Sequence, residues 1–335
     1  MKGTIDCTAT KFQFIVSTDG TLIDIKYDGE DRVDSIVVPH ITKDGTVIEQ
    51  IGPDVFAEIS KTYGKEDAKA PLTVKFEHGI SKMSPCVFDR CDRPLKIIWP
   101  DTCYKIPSFM FAFKKIASIE GADNVERIER RAFCSCTIDS LKWPKNCKEI
   151  PEDCFLHADI HEITGTEAVE VIGDHAFTNT RIKKFCWPDK CGAIPNYCFS
   201  CSSLESISGI ENVQTIGIGA FTETSLKSLD LSKSKVERVG GRAFAYCKSL
   251  EFVRWSTACS TIPDYCFINS SVTNFEGFEH ITEIKEYAFW NTKLAEVDLT
   301  TSPVAVIERD AFPENLKRGK ITMPYYSEFD ELAAY

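Results

Sequence analysis

The chain has 335 residues, with 39 Lys and Arg against 50 Asp and Glu, for a formal net charge of −11. That acidity, with no run of clustered Lys and Arg, excludes nucleic acid as a main partner, because phosphate recognition needs Lys/Arg-dense faces. A composition of 43% hydrophobic and 27% charged residues is globular, and no apolar stretch reaches the roughly 18 residues of a transmembrane helix.

In chain order, Met1 to Cys7 carries neither the basic segment nor the apolar core of a secretory signal. This predicts a cytosolic protein, or a mature or recombinant fragment. Residues 1–50 read as an N-terminal cap and first turn. From there one landmark recurs, an apolar residue five positions before a Phe, first at Ile51/Phe56 and last at Ile307/Phe312. Successive landmark Phe residues stand 32 apart once and then 22 or 23 apart throughout. A phase held that long defines a solenoid of twelve turns.

Each turn opens with a short apolar alternation, as in Leu204-x-x-Ile207-x-Gly209 or Leu250-x-x-Val253-x-Trp255. Period-two spacing predicts a short strand with one face in the core. Equivalent strands of successive coils stack in parallel on one side, and the returning irregular or short helical arc brings the Phe into the core from the other. Each coil then buries its apolar face only against its neighbours. The expected organisation is one continuous domain: a cap over 1–50, repeats over 51–312 with a loop insertion near 57–80, and a C-terminal cap over 313–335. Lys61 to Ala70, polar and containing Gly64, is the expected protruding loop. Lys320 to Pro324 reads as a final strand, and the acidic tail Ser327 to Tyr335 as cover for the open edge.

The turns vary in an ordered way. One type reads Trp-Pro-x-x-Cys-x-x-Ile-Pro-x-x-Cys-Phe, as at Trp143 to Phe155; another has Gly in place of Trp, as at Gly165. The column Trp99, Gly121, Trp143, Gly165, Trp187, Gly209 alternates large with small. This predicts that each indole occupies space left by its Gly neighbour.

On these residues the chain resembles the BspA-like (Treponema pallidum-type) leucine-rich repeat family. Val213 to Phe221 and Ala168 to Phe177 match its Val-x-x-Ile-Gly-x-x-Ala-Phe pattern, and Asp19-Gly20, Tyr27-Asp28-Gly29 and Ile51-Gly52 are similar to its amino-terminal cap. The Trp-Pro and Cys-Phe turns look like a protist variant. The resemblance implies adhesion or protein binding, since such proteins occur on bacterial and protist surfaces and bind host or matrix proteins.

The 15 cysteines mostly fall in repeat columns. Cys103, Cys147, Cys191 and Cys259 lie eight residues before their Phe, while Cys154, Cys198 and Cys266 immediately precede theirs, with Met110 at the equivalent place. A third column, three residues after Phe, interchanges Cys91, Cys136 and Cys247 with Ala158, Thr180, Ser202, Thr224, Ser270 and Thr292. Slots that accept Met, Ala, Ser or Thr read as packing positions for reduced thiols, and such usage favours a reducing compartment. Cys198-x-x-Cys201 and Cys154-x-x-His157-x-x-x-His161 are weak zinc candidates, because structural zinc normally needs two ligand pairs at fitting spacing. No metal or cofactor is expected. The six histidines have no recurring partner and no phosphate loop is present, so no enzyme is expected either.

Strand positions between the core residues should face outward and form the partner surface. The residues singled out there are Lys142, Glu162, Lys184, Phe252, Arg254, Glu276, Glu296 and Asp298, with Phe252 and Arg254 as anchors because aromatic and Arg side chains dominate interface hot spots. The expected function is non-enzymatic binding of a protein ligand at a cell surface; the alternative is an intracellular scaffold. The sequence sets no oligomeric state and names no partner.

Overall fold

The computed structural model describes residues 12–29, 33–60, 70–316 and 321–323. Residues 61–69 of the expected loop, and the tail Ser327 to Tyr335, lie outside the described residues. The chain forms two compact units, Met1–Val169 and Glu170–Tyr335, and both are built of stacked coils.

In the first unit, Phe12–Val16 pairs antiparallel with Thr21–Tyr27 and caps the stack. Ser35–Val38, Leu72–Phe76, Leu95–Ile98 and Ile116–Glu120 then form a parallel sheet, and Thr137–Lys142 pairs in parallel with Asp159–Thr164. In the second unit, Lys184–Cys186 pairs with Ser206–Ser208, and Ser228–Asp230 with Phe252–Arg254 and then Asn274–Glu276. Val297–Asp298 pairs with Ile321–Thr322, so the expected final strand is present. The pairing is parallel because the chain returns to the same side once per coil.

A second ladder runs where the sequence suggested only an arc. Two-residue strands carry the apolar residue five positions before Phe, as in Ala193–Ile194, Thr215–Ile216 and Arg238–Val239. Helix is nearly absent: among the described residues there are one short α-helix, Ala57–Ser60, and the 3-10 turns Ala122–Asn124, Phe278–His280 and Glu314–Leu316.

The landmark Phe rings are buried and stack at the pitch of the coils. In the first unit Phe111, Phe133 and Phe155 follow at centroid spacings of 5.2 and 5.3 Å. In the second, Phe221, Phe244, Phe267 and Phe289 follow at 5.4, 5.4 and 5.3 Å with rings within 13° of parallel. Offset-stacked aromatic pairs at this distance contribute beyond their buried area.

From Phe111 to Phe289 each landmark Phe is flanked by left-handed residues two positions before and two after it, while Phe56, Phe88 and Phe312 have one only two before. All twenty described non-glycine residues with positive φ, between 50° and 61°, fall on these two columns. The geometry has a purpose. Tyr197, Phe199 and Cys201 donate their backbone N–H groups to Ile218, Ala220 and Thr222 of the next coil, each at 2.8 Å. Gly219, Phe221 and Glu223 repeat this to Gly241, Ala243 and Ala245 at 3.0, 2.8 and 2.9 Å. The intervening Ala220, Thr222 and Thr224 N–H groups turn back to their own coil. Alternating hand therefore aims every second donor along the stack.

Gly165 performs a different task from the one its alternation with Trp suggests. Its φ is +76°, and a Cβ there would lie 3.1 Å from the carbonyl oxygen of Trp143, not against the indole. Gly209 repeats this at φ +74° and 2.4 Å from the Trp187 carbonyl oxygen. The glycine is required by backbone hand and backbone proximity. The indoles instead pack edge-on against the Phe of their own coil, Trp187 on Phe199 at 6.1 Å and Trp255 on Phe267 at 5.8 Å. Their Nε1 atoms donate to the carbonyls of Cys103, Cys147, Cys191 and Cys259 at 2.8–3.0 Å, which accounts for the Trp-Pro-x-x-Cys spacing.

Glu223→Val puts a β-branched residue in the left-handed region and lowers stability by about 1–2 kcal/mol at an exposed site, whereas Glu223→Gly is near neutral; urea denaturation of the two variants measures the difference. Gly165→Leu costs about 1–3 kcal/mol. Gly165→Ala, whose methyl leaves the indole's room untouched, retains most of that loss; a shift with Leu but none with Ala would restore the space-filling explanation.

Candidate protein-binding face

The strand sheet presents the outward residues in two rows per unit. In the first unit Lys142 and Glu162 are exposed on paired strands, and Lys142 lies 3.8 Å from Asp123. In the second unit Lys184, Glu276, Glu296 and Asp298 are exposed, while Phe252 and Arg254 are half-buried. Asp298 is engaged locally: its carboxylate accepts the Thr300 N–H at 2.9 Å and hydroxyl at 2.7 Å, which lowers its pKa.

Phe252, Arg254 and Glu276 meet in one cluster, joined by Asp230. The Arg254 guanidinium lies over the Phe252 ring at 5.5 Å. Its Nε donates to Glu276 at 2.6 Å and its Nη1 to Asp230 at 3.2 Å. Strand register causes this, since Asp230, Arg254 and Glu276 are successive partners in the parallel ladder. Hydrogen bonds from Ser232 hold the Asp230 carboxyl below the usual carboxylate range, with Arg254 adding to the effect. Glu276, then Asp230, raise the Arg254 pKa. The cluster is a plate of one cation between two carboxylates, with its orientation fixed from both sides. Beside it lie the small, exposed Ser206, Ser208 and Ser228, a low polar terrace. Residue type alone singles out Phe252 and Arg254; Asp230 is found only by following the outward column one coil back.

The left-handed columns carry stacks that the sequence does not announce. His175 stacks on Tyr197 at 4.9 Å, Arg242 lies over Tyr265 at 4.9 Å, and Tyr265 stacks on Tyr287 at 5.2 Å. These half-buried rings face one another along the coils.

All 14 described cysteines are free thiols, eleven of them buried, with Cys186 and Cys201 exposed and Cys86 between; Cys7 lies outside the described residues. The column that mixes thiols with Ala, Ser and Thr is buried throughout. Neither zinc candidate assembles. Cys198 is fully buried while Cys201 is exposed, and Cys154 is buried while His157 and His161 are exposed. Among the described residues no group of three or more His, Cys, Asp or Glu is arranged to hold a metal ion, and no helix is long and apolar enough to cross a membrane.

Burial lifts the thiol pKa values, from an ordinary 9.0 to about 12 at Cys136 and about 11 at Cys191 and Cys247. A raised folded pKa contributes stability that is complete below pH 9 and is lost as the pH climbs toward 11 and 12. At neutral pH these thiols stay protonated and sequestered from reagents. Native protein at pH 8 should therefore label rapidly at Cys186 and Cys201 among the described cysteines, and at the eleven buried ones only after unfolding; mass spectrometry of the labelled peptides reads this out.

Stacked parallel strands, repeating Phe plugs and a side-chain-bearing sheet face define a leucine-rich repeat solenoid protein. The family model of the BspA type leucine rich repeat region matches in 6 copies over residues 72–161, 126–251 and 192–318, and the chain belongs to that family. Solved structures of similar fold include a leucine-rich repeat protein from Bacteroides ovatus, at 17% identity over 92% of this chain and 88% of that one, with a TM-score of 0.64. A leucine-rich repeat protein from Eubacterium ventriosum has 15% identity over 96% and 95%, with a TM-score of 0.44. The pneumococcal vaccine antigen PcpA has 14% identity over 93% and 95%, also with a TM-score of 0.44. No curated protein matches.

Proposed function

We propose that the chain is a non-enzymatic protein-binding solenoid that adheres to a protein ligand at a cell surface, and that the strand face of the second unit is its docking surface. The observation that carries this reading is the Arg254 guanidinium, stacked on Phe252 and clamped between Asp230 and Glu276. Half-buried and fixed before any partner arrives, it loses little side-chain entropy on binding. The neighbouring serines let a partner backbone approach closely, and the anchor supplies an aromatic and a planar cation of the kind that dominate hot spots. A second reading, an intracellular scaffold, is favoured by the exposed free thiols Cys186 and Cys201. Surface labelling of intact source cells separates the two, since an internal scaffold stays unlabelled.

The ligand is to be captured on the immobilised chain from an extract of the source or its host, identified by mass spectrometry, and titrated directly. Replacing both Phe252 and Arg254 by Ala should weaken that binding at least about 30-fold while the circular dichroism melt keeps its shape. Unchanged affinity would remove this face from consideration.

A further inference from the structure

The docking face of the second unit has an internal pattern beyond its anchor, and the inference drawn from it rests on that face being a binding surface. Its outward row runs Lys184, Ser206, Ser228, Phe252, Asn274, Glu296, one residue per coil over six coils. Reversing the order places Lys184 opposite Glu296 and the small Ser228 opposite the bulky Phe252. The neighbouring row holds Asp230 and Arg254 on adjacent coils, and the same reversal places each opposite the other. Opposite charges face one another at the ends and a large side chain faces a small one in the middle. All of this follows from a single axis between the coils of Ser228 and Phe252.

We propose that this face pairs with the same face of a second copy of the chain, the two stacks running in opposite directions about a two-fold axis parallel to the strands. Such an axis reverses coil order while keeping each row against its own equivalent, so the interface is isologous. The intrachain Asp230–Arg254 contact of 3.2 Å then meets its inverted equivalent, and four charges close into a ring of alternating sign. Phe252 covers Ser228 of the second copy, and Lys184 meets Glu296 of the second copy at both ends.

The end pairs supply the test. Within one chain Lys184 and Glu296 are five coils apart, about 24 Å at the strand-stacking distance, beyond the Debye length of about 8 Å at physiological salt. They have no means of coupling unless two chains meet in this orientation. Sedimentation equilibrium of the full chain, from micromolar to sub-millimolar concentration, should show a reversible dimer. Lys184→Glu and Glu296→Lys should each weaken it about 10-fold by turning two attractions into repulsions, and the two changes combined should restore it to within about 3-fold of the original. Both changes are at exposed sites of the strand face, and an unchanged thermal melt of all three variants confirms that the fold is intact. A wild-type chain that stays monomeric throughout, or a double variant as weak as the singles, overturns self-pairing. Those outcomes leave the binding-face reading standing, because that falls only if ligand binding survives the loss of Phe252 and Arg254.

Discussion

The coil closes on a set of backbone hydrogen bonds that only an unusual backbone conformation can make. From Phe177 to Phe267, the N–H groups of each landmark Phe and of the residues two to either side donate to the following coil. A regular helix would turn these donors along its own axis, and a strand would alternate them between two neighbours in its own plane. Alternation of right- and left-handed residues sends every second donor forward instead. Left-handed non-glycine residues each cost of order 1–3 kcal/mol. The described residues include twenty of them, tolerated because an amide left unsatisfied beside the buried Phe column would cost a comparable amount every time. Parallel strands on one side and forward-aimed amides on the other hold successive coils at one pitch, and the Phe rings stack at about that pitch.

Because the backbone does this work, the side chains in the left-handed columns are released from it. Position two before Phe carries Asp54, Cys86, Phe109, Arg131, His175, Tyr197, Gly219 and Arg242 without disturbing the coil. Where a planar group follows another at the fixed pitch, the two stack, as His175 and Tyr197 do. The strand face obeys the same rule. Arg254 meets Asp230 and Glu276 because a parallel ladder puts the same outward position of three coils in a line.

The parts of the fold legible in the sequence are those that repeat in residue type. Phe at 22- to 23-residue spacing required a solenoid, and a column accepting Cys136, Ala158, Thr180 and Ser202 alike required a small buried slot, which the structure bears out. The forward-bonded arc was hidden because its conformation is imposed by tertiary hydrogen bonds; of the positions two before Phe, only Gly219 carries the residue that normally announces a left-handed turn. The second ladder escaped because two-residue strands are too short to show alternation. The alternation of Gly165 with Trp is legible in the sequence, but backbone hand and carbonyl proximity, not volume, decide it. At the candidate site, Phe252 and Arg254 stood out by type. The clamp around Arg254 depended on register between coils of unequal length, which residue types do not encode.

Uniform pitch has a consequence at the level of heredity. A coil whose donors and acceptors match any neighbour can be duplicated or lost in frame without leaving a broken joint, so unequal crossing-over between similar repeats yields foldable descendants. What such an event changes is spacing: one coil gained between Lys184 and Glu296 moves every outward side chain beyond it by a single step. If the strand face pairs as proposed, repeat number would then act as a combination lock, deciding which surfaces still come into alignment while the fold stays the same.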